Sequence, residues 1–107
     1  MKTYKGTPGN IRKITVDGRP LKPRNDLYNH SPDGFAWGYS GSGAAQAALA
    51  ILADYTDDKT ALEYHQLFKA VAIAGLNQDK GFTLTETEVK EILGKLKNHY
   101  GKKIKEE

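Results

Sequence analysis

Apolar side chains recur at alternate positions in two early stretches of the chain, which predicts β-strands there. The first stretch, residues 11–16, places Ile14 and Val16 on one face. Asp17-Gly18 follows and supplies the positive φ that a tight hairpin turn needs. Pro20 keeps the returning arm short or at a sheet edge, because proline has no backbone N–H to donate. The opposing pairs expected across the turn are Val16 with Arg19 and Ile14 with Leu21.

The second stretch, residues 35–39, alternates aromatic with small side chains and predicts another strand. Its aromatic face holds Phe35, Trp37 and Tyr39, while its small face would let another backbone come close. An aromatic face of this kind could stack on nucleic-acid bases, as in single-strand binding proteins. Since alternating aromatic residues on a strand are more often part of a core, we expect these three to be core residues.

Two helices are predicted after this strand. A helix over residues 44–55 has Gln46 as its only polar side chain until its last two residues. A helix that is apolar nearly all round is buried, so this one is expected at the centre of the core. A second, amphipathic helix begins after an N-cap at Asp57 or Asp58 and continues to about Leu76. The apolar positions of its buried face are Tyr64, Leu67, Phe68 and Val71.

A short strand over residues 81–84 and a third helix complete the predicted elements. Thr85 and Glu88 form a capping box at the start of this helix. Leu84 and Val89 occupy the positions of a hydrophobic staple, which fixes the angle at which the chain enters the helix. The start of the third helix is therefore the best-defined boundary in the sequence.

This order of elements predicts an α+β fold. We expect a small, mainly antiparallel sheet of three to four strands, packed against a buried alanine-rich helix and two amphipathic helices. Gly101 is expected to end the last helix. We therefore predict one α+β domain over residues 1–101 and a frayed tail over residues 102–107.

Composition narrows the class of protein. The 107 residues include no cysteine, which excludes disulfides, thiolate metal sites and a cysteine nucleophile, and is compatible with a reducing compartment. The first residues lack the apolar core of a signal peptide, and the longest apolar run, residues 47–53, is too short to span a bilayer. We expect a soluble, cytoplasmic protein that does not contact membranes.

The net charge of +3 hides an uneven distribution along the chain. Residues 1–25 carry seven basic and one acidic side chain, residues 26–93 carry four and ten, and residues 94–107 carry five and two. Basic ends can meet phosphate groups, although small domains also carry such charge for solubility. Since no nucleic-acid reading motif is present, we expect nucleic-acid binding to be weak if it occurs at all.

Residues 38–43 form a glycine-rich segment between the second predicted strand and the buried helix. Such a turn presents backbone N–H groups and the positive end of a helix dipole, which suits an anion such as phosphate. Alternatively, the glycines only turn the chain tightly against a buried helix. The candidate ligand-binding residues are Gly38, Ser40, Gly41, Ser42, Gly43 and His30.

The established phosphate-binding and nucleophile motifs do not fit this segment. A P-loop requires Lys and then Ser or Thr where the chain has Ala44 and Ala45. A dinucleotide fingerprint requires a third glycine in place of Gln46, and a nucleophile elbow requires a glycine in place of Ser42. The segment therefore identifies no ligand by its sequence alone.

His30 raises a catalytic alternative. With Ser40 or Ser42 it could form the base and nucleophile of a small hydrolase. However, residues 31–34 also form an ordinary turn sequence, and His30 could merely hydrogen-bond that turn. We favour a protein that is not an enzyme, because no complete catalytic set is present. The three histidines show no metal-ligand spacing, so we expect no metal site and no cofactor.

Residues 30–52, HSPDGFAWGYSGSGAAQAALAIL, resemble the signature HSPxGFxWGYxGSGPAQLALAIL of an uncharacterised family found in bacterial, archaeal and phage or plasmid-borne genes. The segments VDGRPL before it and YHQLFKAVAI after it are similar more loosely. The chain has Ala44 where the family has proline, and alanine is also a good first helical residue. The resemblance implies no activity, but it implies that the glycine-rich loop is the family's signature and that the setting is a mobile element or a host–phage interaction.

Three functional hypotheses remain. We favour a small non-catalytic binding module whose glycine-rich loop holds an anionic ligand. The alternatives are a protein–protein regulator of mobile-element or phage origin, in which the motif is purely structural, and the small hydrolase. The basic residues expected near the loop are Arg12, Lys13, Arg19 and Arg24.

Overall fold

A four-stranded antiparallel sheet and three α-helices make up the fold, which confirms the predicted α+β class. The computed structural model describes the backbone of residues 1–106 and the side chains of residues 1–99. The strands are β1 (Thr3–Thr7), β2 (Lys13–Val16), β3 (Arg19–Pro20) and β4 (Phe82–Thr85), and the helices are α1 (Ser42–Tyr55), α2 (Asp58–Phe68) and α3 (Glu86–Glu106).

The sheet order is β3-β2-β1-β4, so the unpredicted strand β1 lies in its interior. Tyr4 pairs with Val16 on one side and with Leu84 on the other, and all three side chains are buried. Gly6 is needed at its position because the Phe82 ring lies 2.1 Å from where a Cβ would stand. One face of the sheet therefore packs on the core through β1, β2 and β4.

The predicted hairpin between β2 and β3 is confirmed, both in the geometry of its turn and in the pairing of its strands. Asp17 has φ 50° and Gly18 has φ 82°, the left-handed backbone that a tight hairpin turn requires. Val16 pairs with Arg19, and the Leu21 N–H donates to the Ile14 carbonyl at 2.9 Å.

The predicted strand at residues 35–39 is wrong, because the backbone turns at Gly38 (φ +87°) instead of running straight. Gly38 donates its N–H to the Ile73 carbonyl at 3.1 Å rather than to a strand. The aromatic residues therefore do not share one face. Trp37 is fully buried and donates from Nε1 to the Lys80 carbonyl, whereas Tyr39 is 47% exposed.

Helix α1 lies at the centre of the core, as predicted. Every residue from Gly43 to Ala53 is buried, and the helix packs chiefly against α2. Its alanines allow the close approach of neighbouring elements, because they project little beyond the backbone. The largest fully buried side chains are Trp37, Tyr4, Phe68, Leu49, Ile51, Leu52, Ile73, Gln46 and Val89.

Helix α2 begins as predicted but ends earlier. The Asp57 carboxylate accepts from the Thr60 N–H at 2.7 Å and so caps the helix. After Phe68 the chain continues as a π-helical turn, Lys69–Ile73, in which Ala74 donates to the carbonyl five residues back. Val71, expected on the buried face, lies within this turn and is 61% exposed, whereas its neighbours Ala72 and Ile73 are buried.

Helix α3 begins with the predicted capping box. Glu88 donates its N–H to Thr85 Oγ1 at 3.2 Å, and Thr85 donates its N–H to Glu88 Oε1 at 3.2 Å. Leu84 and Val89, the predicted staple, are both buried. The helix continues through the predicted stop at Gly101 to Glu106, since an isolated glycine weakens a helix without necessarily ending it. The side chains of the tail lie outside the described residues.

Within the described part of the chain, no helix is long and apolar enough to cross a membrane.

Candidate functional site

The glycine-rich loop packs closely against its neighbours at three of its glycines. A Cβ on Gly38 would stand 2.6 Å from the Gln78 backbone nitrogen, and a Cβ on Gly43 would stand 2.7 Å from the Ala36 Cβ. The Tyr39 ring lies against Gly41, 2.3 Å from where a Cβ would be. Close packing therefore accounts for all three glycines.

The same loop places two exposed serines at the start of α1, whose following residues are buried from Gly43 onward. Ser40 and Ser42 are exposed, and the N-cap residue Gly41 offers no side-chain hydrogen bond to the first turn. The first turn also carries no acidic residue. The positive end of the helix dipole is therefore uncapped at this point, and an anion site there stays a prediction.

His30 contacts another histidine rather than a serine. Its Nε2 lies 2.9 Å from His65 Nε2, and its ring stacks on Tyr28 with the centroids 4.3 Å apart. Among the hydrogen bonds of the described residues, none joins the His30 ring to Ser40 or Ser42. Burial, and then the neighbouring His65 and Lys69, lower the pKa of His30.

Gln46 anchors the segment that precedes the loop. Its Oε1 accepts from the backbone N–H groups of His30 at 2.8 Å and Ser31 at 3.1 Å. Its Nε2 donates to the carbonyls of Pro23 and Tyr28. The single polar side chain in the buried part of α1 thus fixes the backbone of residues 23–31.

The basic residues expected near the loop lie in different places. Arg12 is close to it: its guanidinium carbon is 5.8 Å from the centroid of Trp37, and it donates to the Gln78 carbonyl at 3.1 Å. Its Nε is the one buried side-chain polar atom without a partner among the described residues. Lys13 is exposed on β2, and Arg19 and Arg24 line a cavity instead.

This basic cavity has a volume of about 410 Å³ and lies between the β2–β3 hairpin, the following loop and α1. Its apolar lining comes from Val16, Leu21 and Ala50, together with Pro20. Its polar lining is three cations and one carboxylate: Arg19, Lys22, Arg24 and Asp54. A second depression of about 580 Å³, lined by residues 22–26, shares Lys22 and Arg24 with it.

Two of the charged residues of the basic cavity are already paired. Arg24 bridges Asp26 and Asp58 with four N–H···O contacts of 3.1–3.2 Å, and it lowers the pKa of Asp26. Asp54 accepts from the Tyr4 hydroxyl at 2.9 Å and from Lys2 Nζ at 3.1 Å. Burial and the Asp54 carboxylate raise the pKa of Tyr4, so its hydroxyl stays protonated and donates.

Arg19 and Lys22 are the two exposed cations of the basic cavity, and neither side chain has a hydrogen bond or ion pair among the described residues. The sequence placed Arg19 and Arg24 among the basic residues of interest, but it gave no sign of the cavity. The cavity depends on how the hairpin packs over α1, which no local motif encodes.

Comparison with known proteins leaves the activity open. A search of curated proteins found no match, and neither did a search of solved structures. The model of a family of unknown function, DUF6166, matches residues 4–95, and the chain therefore belongs to that family.

Proposed function

We propose that this protein is a non-catalytic binding module for a small anionic ligand, held in the basic cavity. The observation that carries the proposal is the pair of cations without side-chain partners, Arg19 and Lys22, which line a cavity together with apolar side chains. Cations without a protein partner are free to bind an anion, whereas Arg24 is committed to two carboxylates.

The size and lining of the cavity support a small organic anion. A volume of about 410 Å³ lies within the range of roughly 300–1,000 Å³ typical of small-molecule sites. Val16, Leu21 and Ala50 offer apolar contact to the body of a ligand, while Arg19 and Lys22 attract its charged group. A phosphate ester or carboxylate with a small apolar part has this combination of properties.

The fixed charges around the cavity support specificity. Asp54 is held in place by Tyr4 and Lys2, so one carboxylate faces the ligand without reorganising. A ligand that carries a hydrogen-bond donor beside its anionic group can donate to Asp54 while its anionic group binds the cations. A second carboxylate on the ligand would be repelled by Asp54.

The glycine-rich loop is the second candidate for the anion site. The uncapped first turn of α1 and the exposed Ser40 and Ser42 favour it, as does Arg12, which contacts Gln78 beside Gly38. Against it, the Gly38 N–H is already bonded to Ile73, and the Tyr39 ring covers Gly41.

We also propose a cytoplasmic location, because of the composition of the chain, and a phage or plasmid setting, because of the resemblance of residues 30–52 to the family signature.

Calorimetric titration with inorganic phosphate and phenyl phosphate, at low salt, tests the proposal. The double variant Arg19→Gln/Lys22→Gln should lose affinity by at least about tenfold. The matched control Lys5→Gln/Lys13→Gln removes the same charge from the exposed sheet face and should bind as the wild type does. Phenyl phosphate should bind more tightly than phosphate, because its ring reaches the apolar lining.

A third variant separates the two candidate sites. Ser42→Asp places a carboxylate in the first turn of α1, where it would compete with an anion for the helix N-terminus. Loss of binding in Ser42→Asp alone would move the site to the loop. Binding of neither probe by the wild type would overturn the proposal and favour the protein–protein regulator.

A further inference from the structure

The tautomer of His65 is set by the helix that carries it. His65 is 6% exposed, and its Nδ1 lies 2.9 Å from the Ala61 carbonyl and 3.1 Å from the Leu62 carbonyl. Because a carbonyl oxygen can only accept, Nδ1 carries the proton. The Nε2 of His65 is therefore an unprotonated nitrogen with its lone pair directed at His30.

His30 is held from the other side. Its backbone N–H is bonded to Gln46, and its ring is stacked on Tyr28. In the described structure, His30 Nε2 donates its proton to His65 Nε2 at 2.9 Å. The His30 Nδ1 has no hydrogen-bond partner among the described residues. The proton can therefore move from Nε2 to Nδ1 without breaking another contact.

We propose that His30 and His65 bind a divalent transition-metal ion, of the class Zn²⁺, Ni²⁺ or Cu²⁺, between their Nε2 atoms. Zn–N bonds of about 2.0–2.1 Å at a tetrahedral angle hold two ligand nitrogens about 3.3 Å apart. The two Nε2 atoms, now 2.9 Å apart along one hydrogen bond, have to separate by roughly 0.4 Å, and the His30 ring has to swing off that line so that both lone pairs point at the ion. Because His65 is held through its Nδ1, the half-buried His30 ring makes this movement. The site is separate from the basic cavity and does not depend on the proposed function.

The surroundings favour this class of ion. Imidazole nitrogen suits Zn²⁺, Ni²⁺ and Cu²⁺ and not the hard cation Mg²⁺. His65 donates its second ring nitrogen to a backbone carbonyl, which is the usual arrangement of a metal-bound histidine. The two histidines are 35 positions apart in the chain, so their spacing gives no metal motif. The fold brings them together by packing the loop before α1 against α2.

Binding is expected to be moderate. The described part of the chain contains no group of three or more histidine, cysteine, aspartate or glutamate side chains around one point, so water or an added ligand completes the coordination shell. Lys69 lies close enough to His30 to oppose a second positive charge. The ion would keep open positions and could take a small ligand from solution.

Calorimetric titration of the untagged full chain with ZnCl₂ and NiCl₂, and with MgCl₂ as the control ion, tests this site. We expect one Zn²⁺ or Ni²⁺ per chain, no Mg²⁺ binding, and a higher melting temperature with the bound ion. His30→Gln should weaken Zn²⁺ binding at least about tenfold, while His99→Gln, which removes another histidine, should leave it unchanged.

His30→Gln is the decisive variant, because its half-buried ring can be replaced without opening the core. A circular dichroism spectrum and melting curve of the metal-free variant establish that it is folded. In the wild type, the imidazole NMR signals of His30 and His65 should shift together on adding Zn²⁺. Zn²⁺ binding of equal strength in wild type and His30→Gln, or no binding at all, would overturn the proposed site. The contact between His30 and His65 would then be only an N–H···N hydrogen bond.

Discussion

Gln46 uses all the hydrogen-bonding positions of its amide, and all four partners are backbone groups of residues 23–31. The side chain is fully buried, so none of these bonds can be replaced by water while the core stays closed. A polar residue in an otherwise apolar helix is therefore explained by the loop it organises. The position of His30 beside His65, and hence the metal site, depends on it.

Gln46→Ala should lower the free energy of unfolding by about 3 kcal/mol, because it removes four hydrogen bonds to partly buried backbone groups and empties a fully buried position. The exposed Gln66 on α2 is the matched control, and Gln66→Ala should change stability by less than about 0.5 kcal/mol. Urea unfolding of both variants measures the difference. Equal stabilities would show that the loop reorganises freely and that Gln46 does not anchor it.

Elements defined by local chemistry were predicted from the sequence, and elements defined by distant partners were not. The Asp17-Gly18 turn and the Thr85–Glu88 capping box each span only a few residues, so the local sequence is enough to predict them. Strand β1 was missed because its buried face contains only Tyr4 and a glycine. The position holds a glycine because the Phe82 ring lies where a Cβ would stand, which no local pattern shows.

The same distinction holds for the candidate sites. The glycine-rich loop is continuous in sequence, so it could be predicted directly as a candidate ligand site. The close contacts of its glycines with Ala36, Tyr39 and Gln78 are seen only in the structure. The His30–His65 pair joins residues from different elements, and the basic cavity does the same. The strand predicted at residues 35–39 fails for a related reason, since alternation alone does not show where Gly38 turns the backbone.

The N-cap of α2 predicts a pH dependence of stability. The hydrogen bonds from Thr60 hold the pKa of Asp57 below the ordinary aspartate value of 3.8 in the folded protein. The unfolded chain therefore takes up a proton first as the pH falls. The contribution of this group is fully present above about pH 3.8 and is lost as the pH falls through the lower folded-state pKa.

Asp57→Asn should flatten the acid limb of the stability curve, because asparagine can cap the helix but does not titrate there. Chemical unfolding of both proteins between about pH 2 and 6 compares the slopes. The exposed Asp79, whose side chain caps no helix, gives the control variant Asp79→Asn, which should retain the wild-type slope. An Asp57→Asn slope equal to that of the wild type would show that the carboxylate does not act as an ionised cap.

On the scale of the whole molecule, charge and aromatic surface are separated. The face of the sheet turned away from the core carries Lys5 and Lys13 among threonines, and its described strands place no aromatic side chain there. Trp37 is fully buried, so the aromatic stretch at residues 35–39 cannot serve as a base-stacking platform. We therefore expect contact with nucleic acid to depend chiefly on phosphate groups.

Labelled single- and double-stranded oligonucleotides, titrated at two salt concentrations, should bind weakly and without regard to sequence. Phosphate contacts alone give dissociation constants of roughly 10⁻⁴ to 10⁻⁶ M at physiological salt, and affinity falls as salt rises because counterions are released. Lys5→Gln/Lys13→Gln should weaken this binding and leave phosphate binding in the basic cavity intact, which distinguishes the two surfaces. Tight, sequence-selective binding that persists at high salt would contradict this prediction, because such binding requires contacts to base edges in addition to phosphate groups.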